Sequence, residues 1–205
     1  MLGLATDCSY LLAACWELPF LHGVLRQRAR YRYSILAPHY DGHIAQAVDY
    51  GTPLSAALDR IAATPRRVLD VCTGTGYAAE MAARRYPEAL VAACDLSFPM
   101  LSHARDRLAG RPLLCCDNYQ LPFADGTFDL VILQNAPPAL RELSRIAAPG
   151  GWLALGFSSA AKLPAWIPSQ LVRRLHGLGF VDVDWGRAGN GLYVVAHRAV
   201  PEGFG

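Results

Sequence analysis

The 205 residues are 53% hydrophobic and 18% charged, with a formal net charge of +2. Such a chain has the length of one α/β domain with an extension, and apolar content enough for a full core. The small net charge argues against nucleic acid or an anionic membrane as partner.

From the N-terminus, Leu11–Leu25 is apolar but broken by Glu17, Pro19 and His22. It falls short of the ~20 apolar residues of a membrane span and lacks the basic start of a signal peptide. A helical cap over an active site explains it better. Arg26, Arg28, Arg30 and Arg32 follow at a spacing of two, which reads as a solvated stretch. Thr52-Pro53 reads as the cap and first position of a helix running through Ala63. Residues 1–64 are therefore expected to form a mostly helical lid and residues 65–205 a sheet domain.

Arg67-Val-Leu-Asp-Val-Cys-Thr-Gly-Thr-Gly76 reads as a short buried strand entering a glycine turn, followed by a helix over Tyr77–Arg85. Gly74 and Gly76 can take positive φ and let backbone approach a ligand. The free N–H groups of the following helix favour an anionic group. Leu90–Asp95 is a second strand. It ends in a carboxylate about twenty residues past the turn, the spacing at which an acidic side chain takes ribose hydroxyls.

Leu113 and Leu114 begin a third strand that leads to Asp117-Asn118. A polar turn over residues 121–129 precedes a fourth strand, Leu130–Gln134, and a helix over Ala139–Ala147. Pro149-Gly-Gly is expected as a turn into a fifth strand. Lys162–Pro168 reads as a loop, and Ser169–Leu178 as a helix closed by Gly179. Val181–Trp185 and Leu192–His197, joined by Gly186–Gly191, read as a terminal hairpin.

Strands alternating with helices predict an α/β fold. The expected form is Rossmann-like and doubly wound, with a seven-stranded, mostly parallel sheet, an antiparallel C-terminal edge strand and an N-terminal helical lid. Ligands of such sheets bind beyond the carboxyl ends of the strands, where Asp70, Asp95, Asp117 and Gln134 fall. The six cysteines, Cys8, Cys15, Cys72, Cys94, Cys115 and Cys116, have no paired metal spacing, so no metal is expected. Their apolar settings fit reduced thiols in the cytoplasm.

Four ordered motifs carry a family resemblance. Val68-Leu-Asp-Val-Cys-Thr-Gly-Thr-Gly76 is the first, and Asp95-Leu-Ser-Phe-Pro-Met100 with Ala104-Arg105 the second. Asp117 with Leu121-Pro-Phe-Ala-Asp-Gly-Thr-Phe-Asp129 is the third, and Leu140-Arg-Glu-Leu-Ser-Arg-Ile with Pro149-Gly-Gly the fourth. The chain resembles the class I S-adenosylmethionine-dependent methyltransferases of the small-molecule type, such as those of ubiquinone and menaquinone biosynthesis.

The resemblance implies S-adenosylmethionine as cofactor, S-adenosylhomocysteine as product and a small-molecule acceptor. It places Thr73, Gly74 and Gly76 along the methionine part, with Asp70 holding the amino group. Asp95 would take the ribose hydroxyls, and Leu96 and Met100 would lie against adenine. Asp117 and Asn118 would meet the adenine amino group, Gln134 would sit below the methionine moiety, and Tyr40 would fold over the cofactor.

Two departures stand out. Cys72 replaces the first glycine of the family's glycine motif, and the link Gln134-Asn-Ala-Pro-Pro138 is short and brings no base. His39, beside Tyr40, is the best candidate for that role. A non-methylating reaction of pericyclic or lyase type, or a non-catalytic cofactor-binding subunit that activates a partner, are the alternative readings.

Overall fold

In the computed structural model, which describes residues 19–200, seven strands share one sheet. They are β1 (Arg67–Val71), β2 (Leu90–Asp95), β3 (Leu113–Cys115), β4 (Phe128–Gln134), β5 (Ala147–Phe157), β6 (Phe180–Ala188) and β7 (Gly191–Arg198). Their order is β3-β2-β1-β4-β5-β7-β6. β1 to β5 run parallel, and β7 pairs antiparallel with both β5 and β6. The doubly wound, mostly parallel sheet read from the sequence is therefore present, with the hairpin closing one edge.

Helices α1 (Pro19–Leu36) and α2 (Tyr40–Gln46), joined by a 3-10 turn at Ala37–His39, precede α3 (Thr52–Leu58). α4 (Tyr77–Arg85), α5 (Phe98–Arg107), α6 (Leu140–Ile146) and α7 (Trp166–Gly177) follow within the sheet region. No helix among the described residues is long and apolar enough to cross a membrane. Most of Leu11–Leu25, the expected cap, lies outside the described residues.

Alternate residues of each central strand feed two apolar layers, as expected for strands buried on both faces. Leu69, Val131, Leu133 and Leu155 pack on one face with Leu143 of α6 and Leu171 of α7. Val68, Leu130, Ile132 and Ala154 pack on the other with Leu54 of α3, Ala82 of α4 and Ala104 of α5. α3 thus belongs to the sheet's own layer, because its Leu54, Ala57 and Leu58 are fully buried there. A smaller cluster of Ala37, Tyr40, Ile44 and Met100 seats the 3-10 turn and α2 on α5.

Several boundaries differ from the sequence reading for local reasons. Gly51 occupies the cap position of α3, with Thr52 already helical. That helix ends at Leu58, where Arg60 and Ile61 donate to carbonyls only three residues back. Pro149-Gly150-Gly151 lies inside β5, at a register shift against β4 rather than ahead of the strand. Gly150 has φ +73, and a Cβ on Gly151 would press on Ala148 O at 2.9 Å and Asp129 O at 3.1 Å, so the bulge requires both glycines. α7 starts at Trp166 with Pro168 in its first turn, where a missing N–H costs nothing. The hairpin turns at Gly189-Asn190, which lengthens both of its strands.

Candidate functional site

A cleft of about 1110 Å³, counting its open mouth, lies beyond the carboxyl ends of β1, β2, β3 and β4. The strand order turns between β1 and β4, and a crevice opens at such a switch point in any doubly wound sheet.

Asp70, at the end of β1, is fully buried. Its Oδ2 accepts from Thr73 Oγ1 at 2.5 Å, while Oδ1 has no partner. Burial pushes its pKa up to about 7, against the Thr73 hydroxyl and the Ala79 N–H, which favour the anion. A buried carboxylate with an empty acceptor, lining a cleft, suits a ligand cation.

Asp95, at the end of β2, fastens the glycine turn. Its Oδ2 accepts from Gly74 N and its Oδ1 from Ser97 N, each at 2.8 Å. Burial raises its pKa, and the backbone N–H groups of Ser97, Gly74 and Leu96 pull it back. Gly74 has φ +57, and a Cβ there would find only the Tyr40 ring, at 3.7 Å. The turn thus presents bare backbone beneath Tyr40.

Leu96 and Met100 line the same wall, as do Asp117, Asn118 and Gln134 at the far side. Asp117 Oδ2 is held by Arg26 Nη1 at 2.8 Å and its Oδ1 by Tyr119 N at 3.1 Å. Asn118 Nδ2 donates to Pro137 O at 2.9 Å, tying the loop after β3 to the link after β4. Cys72 also lines the cleft. It stands at φ 58, a left-handed conformation that glycine adopts freely, and burial raises its thiol pKa.

Two expected site residues are not brought here. Gly76 takes φ +89 but faces away, since a Cβ on it would meet Leu108 Cδ1 at 3.0 Å; its lack of a side chain serves the packing of α4 on α5. His39 ends the 3-10 turn on the exposed side, outside the cleft lining. Among the described residues, no histidine lines the cleft.

Other lining residues escaped the sequence reading. Arg26, Ala29, Arg30 and Tyr33 of α1 face the cleft. They recur at helical spacing, so the arginine run is split between a cleft face and a solvent face. Tyr50 and Tyr77 add a ring pair with centroids 5.1 Å apart, edge to face. Tyr50 lies in a bend, where no periodicity marks it.

Comparison with known proteins shows what the chain is similar to. Residues 68–151 match the sequence profile described as "Methyltransferase domain". A malonyl-(acyl-carrier protein) O-methyltransferase of Halorhodospira halophila is 37% identical over 136 residues, which cover 62% of this chain and 46% of that one. A demethylmenaquinone methyltransferase of Thermus thermophilus is 38% identical over 136 residues, covering 59% of this chain and 61% of that one. Over residues 68–151 the chain is thus similar to a methyltransferase domain, and the relatives that it matches are named methyltransferases. It spans only about half the length of these two relatives.

The fold is also that of the 4+2 cyclase SpnF, with TM-score 0.67 at 19% identity, covering 85% of this chain and 96% of that one. At such identity the likeness concerns the fold alone. S-adenosylmethionine is the cofactor that the matched methyltransferases imply, and the cleft offers a buried carboxylate oxygen without a partner, a bare turn and a carboxylate at the end of β2.

Proposed function

We propose that this chain transfers a methyl group from S-adenosylmethionine to a small, fairly apolar metabolite, releasing S-adenosylhomocysteine. The observation that carries this reading is the pairing of Gly74 and Asp95 under Tyr40, beside the orphaned Asp70 oxygen. The relatives matched by sequence are named methyltransferases, which favours methyl transfer over a non-methylating or activator role.

In this reading Asp70 holds the cofactor's ammonium, and the backbone at Thr73 and Gly74 lies along its methionine limb. Asp95 takes the ribose hydroxyls, while Leu96 and Met100 bound the adenine face. Asp117 and Asn118 meet the adenine edge. Once bound, S-adenosylmethionine supplies an activated methyl on a sulfonium centre. The protein orients the acceptor and excludes water, with Tyr33, Tyr40, Tyr50 and Ile44 as the roof of the site.

With His39 on the outside, no histidine among the described lining residues is available as a base, so this reading favours an acceptor that is already a ready nucleophile. In this reading the acceptor lies beside Asn135, Ala136 and Pro137, which line the cleft. The free thiols of Cys72, Cys94, Cys115 and Cys116 fit a reducing compartment, and we place the protein in the cytoplasm.

The test supplies methyl-labelled S-adenosylmethionine with a small-molecule extract and follows label into the organic phase. Label entering a low-mass product in a protein-dependent way supports the reading. Cofactor binding without transfer to any extract fraction speaks for a non-methylating role.

A further inference from the structure

Tyr50 stands at the meeting point of three parts of the fold. Its carbonyl accepts from Gln134 Nε2 at 2.6 Å, at the end of β4, and from Ser158 Oγ at 2.5 Å, just past β5. Ser158 Oγ accepts in turn from Gln134 Nε2 at 3.1 Å and from Asn135 Nδ2 at 3.0 Å. Asn135 Oδ1 receives the Ser158 N–H at 2.7 Å, and Asn135 N donates to Gly156 O at 2.9 Å. Asn135 holds φ 54 while doing so, a left-handed conformation that asparagine tolerates better than most residues and that surrounding bonds must over-determine. Gly156 is part of the same design, because a Cβ there would strike Gln134 Oε1 and Leu54.

The side chain of Tyr50 points the other way, into the cleft. Its ring stands edge-on against Tyr77, the first residue of the helix after the glycine turn. Its hydroxyl meets the Tyr40 hydroxyl at 3.2 Å. Tyr40 is the residue that lies over Gly74. A continuous set of hydrogen bonds therefore runs from the tips of β4 and β5, through Tyr50, to the ring covering the glycine turn.

We propose that Tyr50 is a positioning residue for the cofactor: anchored by Gln134, Asn135 and Ser158, it uses its hydroxyl to fix Tyr40 over Gly74. This inference rests on the reading of the cleft as the S-adenosylmethionine site. Gln134 then acts on the cofactor through Tyr50, a role distinct from direct contact with the methionine limb. The hydroxyl pair is buried, and burial raises both phenol pKa values, so the link holds as a neutral hydrogen bond across ordinary pH.

A double-mutant cycle on S-adenosylhomocysteine affinity tests this. Tyr50→Phe keeps the ring on Tyr77 and removes only the hydroxyl. It should weaken binding roughly three- to ten-fold, the effect of one buried hydrogen bond, and lower the melting temperature by only a few degrees, so that the variant remains folded. Tyr40→Phe should weaken binding as well, and the double variant should cost less than the two single effects combined, since both remove the shared bond while Tyr50→Phe alone also removes the hydroxyl contact with Asn135. Ser158→Ala, which loosens the Tyr50 backbone, should weaken binding in the same direction. Unchanged affinity in Tyr50→Phe, or single effects that multiply in the double variant, would overturn the positioning role while wild-type binding leaves the cofactor site standing. If the wild type itself does not bind S-adenosylhomocysteine, the cofactor reading and this inference fall together.

Discussion

Arg26 Nη1 and Asp117 Oδ2 meet at 2.8 Å across the mouth of the cleft, joining α1 to the loop after β3. Ser34 and Ser97 repeat the link at 3.2 Å, and Asp41 takes Thr75 Oγ1 at 2.5 Å and Arg107 Nη2 at 2.9 Å. α1 and α2 are thus strapped over the side of the cleft that Asp95 and Asp117 line, and Arg26 holds the carboxylate proposed to meet the adenine amino group.

Opening that strap should govern entry more than affinity. The pair is half exposed on the arginine side, and such pairs contribute ~0–1 kcal/mol. Arg26→Ala should leave the melting temperature nearly unchanged and speed S-adenosylhomocysteine association in stopped-flow fluorescence. Added salt should bring the wild-type rate toward that of the variant. Slower association in Arg26→Ala would mean that the guanidinium recruits the ligand instead of guarding the site.

Asp70 makes stability fall with pH. Its folded pKa, about 7, stands above the ordinary 3.8, so between those values the native state holds a proton that the unfolded chain has lost. Its stabilising contribution is complete below about pH 4 and disappears as pH climbs through about 7, changing by ~1.4 kcal/mol for each pH step of one across that window. Asp95, also raised, acts in the same direction. Asp129 and Glu142 are lowered and act oppositely, losing their contribution as pH drops through their folded values. Asp70→Asn should therefore melt higher than wild type at pH 8 and lose that advantage near pH 4. In the wild type, S-adenosylhomocysteine affinity should rise through pH 7 as Asp70 ionises toward the ligand ammonium. A melting difference independent of pH would remove Asp70 from this role.

Cys72 sits at φ 58, where a side chain costs ~1–2 kcal/mol. Glycine avoids that strain but gives back roughly 0.5–1 kcal/mol of backbone entropy. Cys72→Gly should raise stability by up to about 1 kcal/mol in urea unfolding and leave S-adenosylhomocysteine binding within about three-fold. A destabilised variant would show that thiol packing against the β1–β4 core layer outweighs the backbone strain.

The loop over residues 121–125 depends on Arg145, which donates to the carbonyls of Leu121 and Phe123 and pairs with Asp125 and Glu142. Arg145→Ala should cost about 2–4 kcal/mol, because it orphans carbonyls and a carboxylate together. Thermal melts at neutral pH measure it. A loss under about 1 kcal/mol would mean that water replaces the guanidinium.

What could be read from sequence alone follows from how local each signal is. Asp70, Asp95, Asp117 and Gln134 were legible because a strand end and its following turn lie within a few residues, and all four line the cleft. Gly76 was ambiguous for a physical reason: a glycine at positive φ serves a ligand or a neighbouring helix equally well, and only Leu108 tells which. Arg26 and Arg30 were hidden by a spacing of two, although residues four apart share a helical face. Tyr50 left no trace, since its partners Gln134 and Ser158 lie far along the chain.

Titration calorimetry of S-adenosylmethionine and S-adenosylhomocysteine against the wild type and Asp95→Ala, with thermal melts to establish folding, is the most direct test of the cofactor site. Micromolar binding by the wild type, lost in a folded Asp95→Ala, is the expected result. No binding of either ligand at millimolar concentration, or equal binding by the variant, would contradict a cofactor site built on Gly74 and Asp95.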